Sequence, residues 1–84
     1  MAADKISRED MQHLISLLER RLEVIGDAEL RENDPEKQLV LLQEVSEAIS
    51  AFHLQHKALL SARLNHFLGN CRFDKALAWA RDSL

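Results

Sequence analysis

The chain has 84 residues, 46% of them apolar and 30% charged, and its formal net charge is −3 at pH 7. These values fit a single folded domain over residues 1–84 and exclude a disordered chain. Two glycines, one proline and no tyrosine favour helices over strands. No uninterrupted apolar run approaches the roughly 20 residues that a transmembrane helix needs, so we expect no membrane segment.

The first helix is predicted over residues 8–26. Ser7 is a suitable N-cap, and the carboxylates of Glu9 and Asp10 lie near the positive end of the helix dipole. Gly26 is a typical residue at the end of a helix. Residues 1–6 precede the cap and are predicted to be flexible. Apolar residues recur every three or four positions and form one face: Met11, Leu14, Ile15, Leu18, Leu22 and Ile25.

A long central helix is predicted over residues 35–69. Asp34 is its N-cap, and Pro35 occupies the first helical position, where a missing N–H costs nothing. No glycine or proline follows before Gly69. The alternative is a helix that bends near Ser50 and folds the chain into a compact four-helix monomer.

A short third helix is predicted over residues 74–84, with Asp74 as its cap. Short loops make consecutive helices antiparallel, and the two shorter helices together are about as long as the central one. We therefore expect an all-α, three-helix antiparallel arrangement in which the shorter helices lie end to end along the central helix. Their junction should fall near His53 and His56.

Residues 68–80 resemble the turn and second helix of a tetratricopeptide unit. Phe73, Asp74, Ala76 and Leu77 match that family's aromatic-Asp-x-Ala-Leu pattern, and Cys71 stands where its turns usually carry glycine. The family stacks several repeats of about 34 residues, and this chain has no second copy. The resemblance therefore implies a helix-turn-helix and not a repeat architecture.

A two-layer arrangement leaves one side of the bundle open. Exposed apolar surface on a small protein usually marks an interaction site. We therefore predict a non-enzymatic protein–protein interaction module, either a homodimer or a protein that docks a partner helix. The open side is predicted to carry four apolar residues that lie off the main apolar faces: Leu17, Val24, Leu41 and Trp79.

Two histidines three residues apart, His53 and His56, interrupt the apolar face of the central helix. Their spacing suits a metal ion, but a site needs two further ligands, for which Glu9 and Asp10 at the junction are the better candidates. We predict no metal site and no cofactor. His53 and His56 are the residues that would be the candidate ligands of a metal ion. An alternative is a pH-sensitive junction of His53, His56, Glu9 and Asp10, in which protonated imidazoles face carboxylates and a helix end.

The second half of the chain supports a function of a different class. Residues 37–84 contain six basic and four acidic side chains, a net charge of +2. Lys57, Arg63, Arg72 and Lys75 could contact phosphates, so a small nucleic-acid-associated protein is the alternative function. The isoelectric point of about 5.7 argues against nucleic acid as the partner.

Catalysis finds little support in the sequence. We find no glycine-rich phosphate loop, no G-x-S-x-G motif and no identifiable base for the thiol of Cys71, so we predict that the protein is not an enzyme. A single cysteine cannot form an intramolecular disulfide, which leads us to expect a reducing, cytoplasmic location.

Overall fold

The computed structural model describes residues 5–84, and it confirms an all-α fold with a long central helix. In this range the chain forms five α-helices and one short 3-10 turn, with no strand. The elements are α1 (Arg8–Gly26), α2 (Ala28–Asn33), α3 (Pro35–His56), the 3-10 turn (Lys57–Leu59), α4 (Ala62–Gly69) and α5 (Phe73–Asp82).

The two predicted helix starts at residues 8 and 35 are confirmed with their caps. Ser7 Oγ accepts from the Asp10 amide at 3.1 Å, and Asp34 Oδ1 accepts from the Lys37 amide at 3.1 Å. Asp27 then turns the chain and caps α2, its Oδ1 accepting from the Leu30 amide at 2.9 Å. Side-chain caps of this kind satisfy amides that a helix cannot bond internally.

The central helix ends at His56, and the prediction that it continues to residue 69 is wrong in that respect. Leu60 is extended, with ψ 149°, and Ser61 caps a new helix, its Oγ accepting from the Leu64 amide at 3.2 Å. The helix runs unbroken through Ser50, so the alternative bend at that position is also wrong. Because no glycine or proline marks the break, only the capping chemistry of Ser61 signals it.

A single side chain, Asn65, bridges the break. Its Nδ2 donates to the carbonyl oxygens of Lys57 at 3.0 Å and Leu60 at 3.2 Å. Its Oδ1 lies 2.9 Å from His53 Nε2. The amide therefore satisfies two carbonyls freed by the end of α3 and joins α3 to α4.

The last helix, α5, lies beside α1 rather than end to end with it. Arg81 donates to Glu19 at 2.7 Å, and the Arg21 guanidinium lies 4.7 Å from the centre of the Phe73 ring. The break after α3 allows α4 and α5 to fold as a second layer over α1 and α3. The buried core joins all four: Met11, Leu14, Ile15, Leu18, Val45, Ile49, Phe52, Leu60, Leu64, Leu68, Ala76, Leu77 and Ala80.

The turn between α4 and α5 is a Schellman motif with a non-glycine residue in the left-handed position. The Arg72 amide donates to the Phe67 carbonyl at 2.8 Å, and the Cys71 amide donates to the Leu68 carbonyl at 3.3 Å. Cys71 has φ 56°, in the left-handed region. The predicted helix-turn-helix is thus present, with Cys71 in the conformation that glycine favours.

Residues 5 and 6 of the segment predicted to be flexible, residues 1–6, contact the rest of the fold. The Lys5 amide donates to the Leu59 carbonyl at 2.6 Å, and Ile6 packs against the core. These two residues are therefore held by the fold. Residues 1–4 lie outside the described residues.

The molecule is elongated, measuring 46 × 22 × 21 Å. Its radius of gyration is 13.5 Å, whereas a compact domain of this length has about 12 Å. Leu18 on α1 and Val45 on α3 are the last members of the core along their helices. Helices α1 and α3 form an antiparallel pair, which we call the hairpin. The hairpin extends beyond these two residues, and the candidate site lies on this extension.

Candidate functional site

Large apolar side chains are exposed where the α1–α3 hairpin extends beyond the core. Leu39 is 67% exposed, Leu22 46% and Ile25 38%. On α1, Leu22 and Ile25 continue the face of the buried Leu18, the three lying within about 60° of one another. They therefore point to the side of the hairpin that carries the core, yet no element within residues 5–84 covers them.

On α3, the exposed Leu39 also points toward the second layer. Leu39, Ser46 and His53 lie within about 40° around the helix, and His53 is bonded to α4 through Asn65. Leu39 therefore lies on the face that α4 covers farther along, with the half-buried Leu42 beside it. We call Leu22, Ile25, Leu39 and Leu42 the hairpin patch.

Helix lengths explain why the hairpin patch is uncovered. Helix α3 has 22 residues, about 33 Å, whereas α4 and α5 have 8 and 10 residues, about 12 and 15 Å. Because α4 and α5 lie side by side against the core, their combined length does not extend the cover. The far half of the hairpin keeps an apolar face without a second layer.

Of the four apolar residues that the sequence predicts on the open side, one is buried and three are half-buried. Val24 is buried, because α2 and α3 pack at the end of α1 and Gln38 donates to the Val24 carbonyl at 3.0 Å. Leu17 and Trp79 are half-buried against the core, and Leu41 is half-buried on α3. Leu22 and Ile25, which the sequence placed on the apolar face of the first helix, are exposed instead.

Of the four residues predicted to form a pH-sensitive junction, the structure brings His56 and Asp10 together. His56 Nε2 lies 3.6 Å from Asp10 Oδ2, and its Nδ1 lies 3.0 Å from the Phe52 carbonyl oxygen. The carbonyl can only accept, so Nδ1 carries a proton and Nε2 faces the carboxylate. His53 is bonded to Asn65 instead, and Glu9 is exposed in the first turn of α1.

Each histidine of the pair has one ring nitrogen in a hydrogen bond, His53 with Asn65 and His56 with the backbone, an arrangement that metal-ligating histidines also use. Over residues 5–84, no group of three or more histidine, cysteine, aspartate or glutamate side chains is placed to hold an ion. The thiol of Cys71 is exposed.

A second candidate site is a cleft of about 620 Å³ between α4 and α5. Three of the four basic residues that the sequence singles out, Arg63, Arg72 and Lys75, line this cleft together. Lys57 lies in the 3-10 turn and is not among the lining residues. We call this the basic cleft.

Two aromatic side chains, Phe67 and Trp79, also line the basic cleft. Both are half-buried and pack against the core. The Arg63 guanidinium lies over the Trp79 ring, 5.6 Å from its centre. The sequence predicts the basic residues but not their convergence, which depends on the break at residues 57–61 and the turn at Cys71.

Within the described part of the chain, the helices are all too short or too polar to cross a bilayer. Comparison of the chain with models of known protein families, with curated proteins and with solved structures finds no match.

Proposed function

We propose that this protein is a small, non-enzymatic interaction module that self-associates through the hairpin patch. The observation that carries the proposal is the exposure of Leu22 and Ile25 on the side of α1 that elsewhere forms the core, with Leu39 exposed on α3. Contiguous exposed apolar surface on a small protein usually marks an interaction site. A second copy would supply the missing layer.

A second copy suits the patch because the patch can pair with itself. Two hairpins related by a two-fold axis would bring four helix segments together, the usual geometry of a four-helix bundle. The neighbouring charges on α1 include both signs, with Arg20 and Glu23 paired at 3.7 Å. A rim of mixed sign avoids the net repulsion that a single-sign rim would impose on two identical surfaces.

Sedimentation equilibrium tests this proposal. We expect a mass that rises with concentration toward twice the 9.6 kDa of the chain. The double variant L22S/L39S should remain monomeric, with association weakened by roughly a hundredfold or more, since each dimer loses four apolar contacts of about 1 kcal/mol.

The chain offers a matched control for this experiment. Val40 and Leu54 are 51% and 75% exposed, and they lie within about 40° of each other on the face of α3 opposite the buried Ile49. The variant V40S/L54S removes two apolar side chains outside the patch and should associate like the wild type. A wild type that stays monomeric at high micromolar concentration contradicts the proposal, as does a control variant that dissociates equally.

Nucleic-acid binding is the alternative function, supported by the convergence of Arg63, Arg72 and Lys75. Two features count against it. The net charge of the whole chain is −3, which repels a polyanion at long range. The Trp79 ring, which would stack on a base, is half-buried on the core and covered by Arg63. Filter binding at low and high salt tests it, because phosphate contacts give a steep salt dependence.

The location that we propose is a reducing, cytoplasmic compartment. The exposed thiol of Cys71 supports it, since free exposed cysteines suit compartments that keep thiols reduced.

A further inference from the structure

The basic cleft combines a concentration of positive charge with the absence of a neutralising carboxylate. Among residues 5–84, no carboxylate oxygen lies within 4.0 Å of a side-chain nitrogen of Arg63, Arg72 or Lys75. Other cations in the chain do find such partners, Arg81 with Glu19 and Arg20 with Glu23. Cations held together without counter-charges raise the local potential and attract anions.

The cleft also presents neutral hydrogen-bond donors to an anion. The Asn70 amide nitrogen lies 3.1 Å from His66 Nδ1 and can only donate, so the neutral ring of His66, which lines the cleft, carries its proton on Nε2. Ala62 and Arg63, in the first turn of α4, line the same cleft. First-turn amides have no acceptor within the helix and favour negative charge.

The size and the lining of the cleft indicate that an anion bound there would also have an apolar part. Its volume of about 620 Å³ falls within the range of small-molecule sites. Phe67 and Trp79 supply apolar wall beside the charged groups. A small inorganic anion would use the charges but leave this wall without contact. A ligand with both a charged and an apolar part would use all of the lining.

We propose that the basic cleft binds a small organic dianion that carries a phosphate-like group on a flat apolar body. The guanidinium of Arg72 and the ammonium of Lys75 hold the charged group, and the apolar body rests against Phe67 and the edge of Trp79. This site is separate from the hairpin patch, and neither proposal depends on the other.

Trp79 provides the means to test the site, because it is the single tryptophan of the chain. We expect phenyl phosphate to change its fluorescence saturably at low ionic strength, and calorimetry to give the same affinity. Inorganic phosphate should bind more weakly because it lacks the apolar contact. Phenol should not bind measurably because it lacks the charge.

Variants at Arg72 and Lys75 assign the binding to the cleft. R72Q and K75Q should each lower the affinity for phenyl phosphate about three- to tenfold, as expected for the loss of one exposed charge-assisted contact. Arg63 is left unchanged because it covers the Trp79 ring and its loss would alter the signal itself. The matched control is R20Q, which removes one positive charge from α1, outside the cleft, and should bind like the wild type. Circular dichroism confirms that each variant is folded.

Four outcomes overturn the proposal. The first is the absence of saturable binding by both fluorescence and calorimetry. The second is an equal loss of affinity in R20Q, which would show a general effect of charge. The third is binding of phenol as tight as that of phenyl phosphate. The fourth is much tighter binding of an oligothymidylate with a steep salt dependence, which would assign the cleft to nucleic acid instead.

Discussion

His53 Nε2 lies 2.9 Å from Asn65 Oδ1, across the point where α3 has ended and α4 has begun. The orientation of the amide is fixed by its other end, where Nδ2 donates to the carbonyls of Lys57 and Leu60. The oxygen therefore accepts, and His53 Nε2 carries the proton. A histidine on the apolar face of a helix is accounted for by an asparagine on the helix that covers it.

Replacement of Asn65 by alanine should lower the free energy of unfolding by about 1–3 kcal/mol. The substitution removes the partner of a part-buried imidazole N–H and of the Leu60 carbonyl, and it removes one of the two donors to the Lys57 carbonyl. Urea denaturation measures the change. N33A, at the exposed end of α2, is the control and should stay within about 0.5 kcal/mol of the wild type. Equal effects of the two substitutions would mean that Asn65 does not stabilise the break.

Replacement of Ser61 by alanine should lower the free energy of unfolding by about 1 kcal/mol. Ser61 is 5% exposed, and its hydroxyl accepts from the Leu64 amide at the start of α4. Losing an N-cap oxygen leaves that amide unsatisfied. S50A, in the middle of α3, should instead be neutral or slightly stabilising, because alanine is the better helix former there. Thermal denaturation of both variants gives the comparison, and a neutral S61A would contradict the capping role.

Replacement of Cys71 by glycine should raise the free energy of unfolding by about 0.5–1 kcal/mol. The residue has φ 56°, a conformation that costs a side-chain-bearing residue energy and costs glycine little. C71A separates this effect from loss of the thiol, since alanine keeps the Cβ atom and should bring no gain. Chemical denaturation under reducing conditions measures all three proteins. If C71A stabilises as much as C71G, the backbone explanation is wrong.

Asp10 and His56 should be energetically coupled. Their side chains are 46% and 17% exposed and lie 3.6 Å apart, so a double-mutant cycle with D10N and H56Q should give about 0.3–1 kcal/mol. Urea denaturation of the wild type, the two single variants and the double variant measures the coupling. His13, whose ring also lies near Phe52, is kept in every variant. A coupling energy of zero within error would contradict an interaction between the two side chains.

The sequence predicts the starts of α1 and α3 well because each depends on local capping chemistry. The predicted cap of the last helix is wrong, since Asp74 lies in the first turn of α5 and the N-cap position is Arg72, which makes no side-chain capping bond. Ser7 and Asp34 carry the oxygen that an N-cap needs, and Pro35 follows the second of them. Ser61 has the same chemistry, but it lies in a segment without glycine or proline, where a continuous helix is also consistent with the pattern. The choice between the two depends on tertiary contacts, above all those of Asn65, which local patterns do not contain.

The candidate sites could be predicted only in part for a related reason. The apolar face of α1 is correctly identified, but whether Leu22 is covered depends on how far α4 and α5 reach along the hairpin. The basic residues Arg63 and Arg72 are visible in the sequence as a local excess of charge. Their convergence on one cleft depends on how α4 and α5 pack across the turn at Cys71, a tertiary arrangement that a local excess of charge does not show.

The uneven cover of the long hairpin has a consequence for how the molecule opens. Around Leu14 and Ile49 the helices pack in two layers, whereas near Leu39 the hairpin forms a single layer. Local opening needs less free energy where fewer apolar contacts must break. The protein should therefore open first at the α2 end of the hairpin, and a second copy bound there would raise the free energy of that local opening.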